Sequence, residues 1–215
     1  MMFVLSNTSS IGNNFIAELR DASIQVDSMR FRRNLERIGE IFAYEISKTL
    51  SYIDTEFETP LGTAMVSIIQ EQPVLATILR AGLPLHQGLL NFFDKADSAF
   101  IAAYRQETKA GDFTINKEYV SSPDLSERVL IISDPMLATG QSMVLSCKEL
   151  LQQYAIKELH IVSVIASTEG VTHVRANLPQ ARLWLGAIDD EMTTKAYIVP
   201  GLGDAGDLAY GQKDG

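Results

Sequence analysis

The sequence predicts an α/β fold: a mostly parallel sheet flanked by helices, in a single domain spanning residues 1–215. Three observations carry that reading. Apolar strand-like runs alternate with helical stretches from Val74 to Ile188, the order that builds parallel sheets. The run Val129-Leu130-Ile131-Ile132 is apolar throughout, with three β-branched residues, which suits a strand covered on both faces. A chain of 215 residues is long enough for a substantial core and shows no repeat, linker or domain boundary.

Taken in order, residues 1–12 turn polar after a first apolar cluster and predict no element. Phe31, Leu35, Ile38, Phe42, Ile46 and Leu50 make a helical stripe, with Arg32, Arg33, Glu36, Arg37 and Glu40 off it. Those interleaved charges read as a solvated face rather than a basic patch. Pro60-Leu61-Gly62 is a turn before a short strand over Thr63–Ile69. Val74–Leu79 is a buried strand, Leu83–Phe93 a helix, and Ser98–Tyr104 a strand ending at Arg105. The polar stretch 106–126 alternates weakly and predicts a projecting two-stranded arm or a mobile loop. After the central strand come a helix over Ser142–Tyr154, strand Leu159–Ala166, helix Glu169–Asn177 and strand Arg182–Ile188. The tail from Tyr197 is glycine-rich and reads as irregular.

The chemistry concentrates after the central strand, in Ser133-Asp134-Pro135-Met136-Leu137-Ala138-Thr139-Gly140-Gln141-Ser142. A polar loop leading into a helix points backbone N–H groups and the positive end of the helix dipole at whatever occupies it. Ala138, Thr139, Gly140 and Ser142 are small enough to let a phosphate reach that backbone. Asp134 falls at the carboxyl end of the strand, where open α/β sheets bind ligands. A carboxylate repels phosphate but accepts hydrogen bonds from sugar hydroxyls. A second strand ends in Arg80-Ala81-Gly82, a fixed cation beside a loop that a ligand can approach.

The segment Asp134–Gly140 resembles the phosphoribosyl pyrophosphate signature of type I phosphoribosyltransferases, in the variant of the uracil phosphoribosyltransferase family. Arg80-Ala81-Gly82 resembles that family's pyrophosphate-contacting loop, and Tyr104-Arg105 its second pyrophosphate arginine. Tyr197–Asp207 looks like its uracil-binding loop, so that 197–211 is expected to seat the base. The likeness runs over about residues 20–211, with the four motifs in the family's order. It implies Mg²⁺-dependent transfer of phosphoribose to uracil, giving UMP and pyrophosphate in pyrimidine salvage. It also implies a small hood built with the C-terminal loop, and a homodimer or higher homo-oligomer. By resemblance, Arg80, Arg105 and Mg²⁺ stabilise the departing pyrophosphate, Asp134 holds ribose hydroxyls, and Ala138–Ser142 hold the 5′-phosphate. Pro135, Met136 and Leu137 complete that loop. Ile198, Gly203 and Ala205 offer backbone contacts to uracil, and Asp204 lies beside the base, the ribose-phosphate and the metal. No residue is an obvious base for uracil N1.

The same resemblance leaves two other readings: a nucleotide sensor or regulator that has lost the activity, or transfer to another base. Several positions depart from the family pattern. Gln141 stands where a second glycine is usual; if that position needs φ > 0, glutamine brings strain of order 1 kcal/mol. Leu208 replaces a basic residue, Tyr210 a phenylalanine, and His86-Gln87 a pair ending in an acid. The arm after Arg105 lacks the usual Glu-Glu-Thr and proline.

Other chemistries find no support. Gly201-x-Gly203-x-x-Gly206 spells a dinucleotide fingerprint, but no helix or second strand is expected before Gly215, and no acid lies about twenty residues on. There is no P-loop and no nucleophile elbow, and His86, His160 and His173 lack metal-ligand spacing. His160 falls in a strand and reads as structural. The one cysteine, Cys147, excludes an internal disulfide and lies on a helix, as a buried thiol would. A net charge of −9 opposes nucleic-acid binding. No run of eighteen apolar residues is present, and the N-terminus lacks the basic flank of a signal peptide. A cytoplasmic protein is expected.

Overall fold

The computed structural model describes the backbone of residues 1–107 and 113–212, and the side chains of 1–102 and 119–212. The chain opens with β1 (Met2–Val4), a 3-10 turn at Leu5–Asn7, α1 (Ile11–Arg20) and α2 (Ser28–Ser47). A hairpin of β2 (Tyr52–Thr59) and β3 (Gly62–Ile69) leads to β4 (Val74–Leu79), α3 (Leu83–Leu90), β5 (Asp97–Glu107) and β6 (Phe113–Ser121). Next come β7 (Val129–Ser133), β8 (Met136–Leu137), α4 (Gln141–Gln153), β9 (Glu158–Ser167), α5 (Thr168–Asn177) and β10 (Arg182–Asp189). The chain closes with β11 (Glu191–Met192), β12 (Ile198–Val199) and α6 (Ala205–Tyr210).

Among the described residues eight strands form one sheet in the order β1-β10-β9-β7-β4-β5-β6, with β8 beside β9. Its pairings are parallel except β5 with β6, so the expected mostly parallel architecture is the observed one. Both faces are covered, and side chains alternate between them. Leu130 and Ile132 join a core with Met143, Cys147 and Leu150 of α4, while Ile131 joins the opposite core with Phe31, Leu35 and Phe42 of α2. After β4 the chain moves outward to β5; after β7 it moves the other way, to β9 and β10. The switch point therefore lies between β4 and β7, and a ligand crevice belongs at their carboxyl ends.

Helix α2 buries Phe31, Leu35, Ile38, Phe42 and Ile46 of the stripe read from the sequence, while Leu50 falls past its end and is half-buried; its Asp27 side chain accepts from the Arg30 amide as an N-cap. Most of its arginines meet acids or nearby polar groups: Arg30 pairs with Glu18, Arg33 with Glu36 and Glu40, and Arg37 bonds Asn34. Arg32 instead reaches the C-terminal segment, where it donates to the Ala209 carbonyl.

The structure corrects the sequence reading in several places. Residues 1–12 are not featureless: β1 adds a parallel edge to β10, and Ser10 caps α1 through the Gly12 amide. Tyr52–Thr59 pairs along its whole length with β3, making a two-stranded hairpin separate from the main sheet. Its alternation is masked because Tyr52, Ile53, Phe57, Met65, Val66 and Ile68 are all exposed. Helix α3 stops at Leu90, short of Phe93. The stretch 106–126 begins as the end of β5, its residues 108–112 lie outside the described set, and Phe113–Ser121 is β6, antiparallel to β5.

The tail is not irregular either. β12 pairs with β11, and α6 forms because the Asp204 carboxylate accepts from the Asp207 amide at 3.0 Å and Ala205 and Ala209 bury against the core. At six residues, off the main sheet, α6 still makes no dinucleotide-binding unit.

Candidate active site

Arg80 leaves β4 on one side of the switch point. The chain turns there through Gly82, whose N–H donates to the Ile78 carbonyl at 3.1 Å. A Cβ at Gly82 would lie 2.1 Å from Thr77 Oγ1 and 2.7 Å from the Ile78 oxygen, so only glycine fits this approach. The Arg80 guanidinium reaches across to the C-terminal segment: Nη2 lies 3.4 Å from Asp207 Oδ1 and 3.4 Å from the Gly211 carbonyl. Its Nε is buried and bonded to nothing among the described residues. Long contacts of this kind at a half-exposed pair are worth little, about 0–1 kcal/mol, and yield readily to a better anion.

Asp134 leaves β7 on the other side. Its amide donates to the Val162 carbonyl at 3.1 Å, and its own carbonyl accepts from Ser163 Oγ at 2.6 Å. The carboxylate accepts from the Met136 amide at 3.4 Å. The segment beyond it is not a free loop as expected. The Pro135 carbonyl accepts from the amides of Val164 and Ile165, at 3.0 and 2.9 Å, which draws Met136–Leu137 into β8 along β9. The Leu137 side chain is buried in the core, so any contact it makes with a ligand is through its backbone.

Ala138 is tied to Ser167 Oγ at 2.6 Å, and the Gln141 amide donates to Thr139 Oγ1 at 3.4 Å. Gly140 adopts φ +74° and caps α4 without a side chain; a Cβ there would meet the Gly170 carbonyl at 2.9 Å. Gln141 is the first residue of α4 and has no positive φ. The strain expected at Gln141 is therefore absent, because the left-handed residue of this turn is Gly140. The result is a thirteen-residue helix aiming its N-terminus at a loop of small residues, a geometry that suits an anion.

The tail supplies the third wall. Ile198 and Ala205 are buried, while Gly203 (φ +90°) and Asp204 are exposed between them. A Cβ on Gly206 would lie 3.2 Å from Asp204 Oδ1 and 3.9 Å from Arg80 Nη2, so the start of α6 stands against the Arg80 guanidinium. The structure thus brings together Arg80, Asp204, Gly206 and Asp207 by contact, with Asp134 on the neighbouring strand end. For Arg105 it places the backbone on β5 opposite Ile115; the side chain lies outside the described residues.

Two residues at this site went unread in the sequence. Arg20, the last residue of α1, forks onto Asp189 at the carboxyl end of β10, at 2.8 and 2.7 Å. The same two side chains hold both backbone groups of Gly201: Arg20 donates to its carbonyl at 2.9 Å, and its amide donates to Asp189 at 2.8 Å. Burial alone would raise the Asp189 pKa, but the hydrogen bonds from Arg20 and the Gly201 amide outweigh it and hold the carboxyl below its ordinary value. An acid at a carboxyl strand end is the signal that singled out Asp134, and it would have found Asp189.

The remaining titratable candidates are structural. His86 is buried against Phe100, with Nε2 3.1 Å from Ser98 Oγ, and burial pushes its pKa down to about 4. His160 accepts from Trp184 Nε1 at 3.0 Å in the core. Cys147 is buried and its thiol is pushed up to about 12. Among the described residues no three His, Cys, Asp or Glu groups are arranged to hold a metal, and no helix is long and apolar enough to cross a membrane.

Residues 8–212 match the model of a family described as uracil phosphoribosyltransferase. A uracil phosphoribosyltransferase of Porphyromonas gingivalis is 53% identical over 205 residues, covering 95% of each chain. One of Thermococcus gammatolerans is 36% identical over 199 residues, covering 91% of this chain and 87% of that one. The solved AQ2163 protein of Aquifex aeolicus shares the fold, with a TM-score of 0.87 and 27% identity over 98% of each chain.

Proposed function

The chain belongs to the uracil phosphoribosyltransferase family, and from that premise we propose that it makes UMP and pyrophosphate from uracil and phosphoribosyl pyrophosphate. The bond from ribose C1′ to the diphosphate oxygen breaks, a bond from C1′ to uracil N1 forms, and the N1 proton is released. Positive charge builds on the ribose as the first bond breaks, so the protein's work is placement and electrostatics.

The observation that carries the reading is the convergence of Arg80 with the Asp204–Asp207 turn at the switch point, beside the strand end bearing Asp134. Arg80 draws off the diphosphate, its weak contacts to Asp207 and Gly211 exchanged for phosphate oxygens. Arg105 joins it from β5. Asp134 accepts from the ribose hydroxyls, and the backbone from Pro135 to Ser142 receives the 5′-phosphate, with Thr139 and Ser142 hydroxyls as extra donors. The backbone at Ile198, Gly203 and Ala205 reads the alternating acceptor and donor edge of uracil.

The residues present fit magnesium in one manner only. Among the described residues no carboxylate cluster makes a cage, and Mg²⁺ is commonly held by one or two carboxylates plus substrate phosphates. Asp204 would hold it; when bound it supplies positive charge against the departing diphosphate. The whole chain, 1–215, acts as one domain, with 197–211, including α6, as the hood of its site; the arm expected over 106–126 lies partly outside the described residues. The protein works in the cytoplasm as a homodimer or higher homo-oligomer, for which the exposed apolar residues of the β2–β3 hairpin are the surface that most needs a partner.

The test is to incubate the protein with phosphoribosyl pyrophosphate, Mg²⁺ and a panel of bases and identify the nucleotides formed. UMP from uracil is expected. A nucleotide from another base alone would move the acceptor assignment, and binding of nucleotide without any product would favour a sensor.

A further inference from the structure

The segment that reads the base is fastened at both ends by arginines from the two N-terminal helices. At its start, Arg20, Asp189 and Gly201 form a closed ring of hydrogen bonds of 2.7–2.9 Å that uses both backbone groups of Gly201. Gly201 has φ +57°, and a Cβ there would lie 2.1 Å from the Ile198 carbonyl, so the turn admits only glycine. At its end, Arg32 of α2 donates to the Ala209 carbonyl at 2.6 Å and lies over the Tyr210 ring, 5.9 Å from its centroid. Between the two fastenings stand the exposed Gly203 and Asp204.

These contacts end on the backbone of the reading segment itself. Recognition by main-chain groups has no side-chain rotamer to adjust, so its accuracy is the accuracy with which the backbone is held. Arg20 is anchored in turn by α1, whose Ile16 and Leu19 are in the core, and Asp189 by β10. Resting on the uracil reading above, we propose that Arg20, Asp189 and Arg32 are positioning residues for the pyrimidine, a clamp that presets residues 201–209 before substrate arrives.

The test compares the wild type with Arg20→Gln/Asp189→Asn, which removes both charges together, with Arg20→Lys, and with Arg32→Gln at the half-buried end. For each, kcat, the KM of uracil, the KM of phosphoribosyl pyrophosphate and the hydrogen exchange of residues 198–205 are measured. In the double variant the uracil KM should rise about tenfold or more, within the roughly hundredfold that misplacement by 1 Å can cost, while the other KM moves less than about threefold. Exchange at the Gly201 amide should accelerate, and Arg20→Lys should recover part of both effects. Arg32→Gln should show the same split more weakly, and it carries the comparison if the double variant fails to fold. Equal changes in the two KM values, or an unchanged uracil KM with faster Gly201 exchange, would overturn the clamp. Wild-type turnover is measured first: if it converts another base, the split is sought in that base's KM; if it converts none, the uracil reading fails and takes this inference with it.

Discussion

Gln141→Gly and Gly140→Ala probe one turn from two sides, and the structure assigns them the same sign but different sizes. Gln141 begins α4 with helical dihedrals, so glycine there gains no relief and adds backbone entropy to the unfolded chain, a cost of about 0.5–1 kcal/mol. Gly140 sits at φ +74°, where a Cβ costs roughly 1–2 kcal/mol from backbone sterics alone. That Cβ would also meet the Gly170 carbonyl at 2.9 Å and Val174 Cγ2 at 3.2 Å, and forcing such a contact adds about 1–3 kcal/mol. In a chain this long, 1 kcal/mol shifts Tm by about 2–4 °C. Gln141→Gly should therefore lower Tm by about 1–4 °C, and Gly140→Ala by at least about 4 °C, in matched calorimetric scans. A rise in Tm for Gln141→Gly would refute the reasoning, since it would mean that Gln141, not its neighbour, carries the strain of the turn.

Asp134→Asn should cut kcat/KM by about 10- to 100-fold, the value of one or two charge-assisted hydrogen bonds, while Tm holds; an unchanged rate at equal Tm would remove Asp134 from the ribose. Arg105→Ala should lower turnover with little change in the uracil KM, and a normal kcat would take it out of the diphosphate site. Acid should destabilise the fold through His86: its pKa falls from 6.5 to about 4 on folding, so between those values the unfolded chain binds a proton that the native state refuses. The stabilisation is complete above about pH 6.5 and is lost progressively toward pH 4, by up to about 3 kcal/mol. Denaturant titrations at pH 7 and 4.5 on the native protein and His86→Gln should show a smaller pH loss in the variant. Cys147, with its thiol pushed up to about 12, should ignore a thiol-specific disulfide reagent at pH 8 until the chain unfolds. One thiol should then react, and fast labelling of the native protein would contradict its burial.

How well each part could be read follows from where its determinants lie. Strands β4, β7, β9 and β10 were legible because burial on both faces leaves continuous apolar runs, and α2 because one face only is buried. The hairpin was half missed because its apolar side chains face solvent, so alternation marks no core. Helix α6 escaped notice because glycines dominate its approach, while one carboxylate, Asp204, supplies its cap. Of the candidate site, Arg80 and Asp134–Ser142 stand out in the sequence because each lies in a contiguous stretch whose chemistry is local.

By itself the sequence determined the alternation of strand and helix, the loop of small residues after the central strand and the four motifs that resemble one family, because period, cap and turn chemistry act over a few residues. Tertiary structure alone decided that Gly140 and not Gln141 takes the left-handed turn, and that the tail stands against Arg80. It also decided that an arginine and an aspartate 169 positions apart hold the backbone of Gly201. Such pairings have no local signature, since they exist only once β10, α1 and the tail have packed and excluded water from between them.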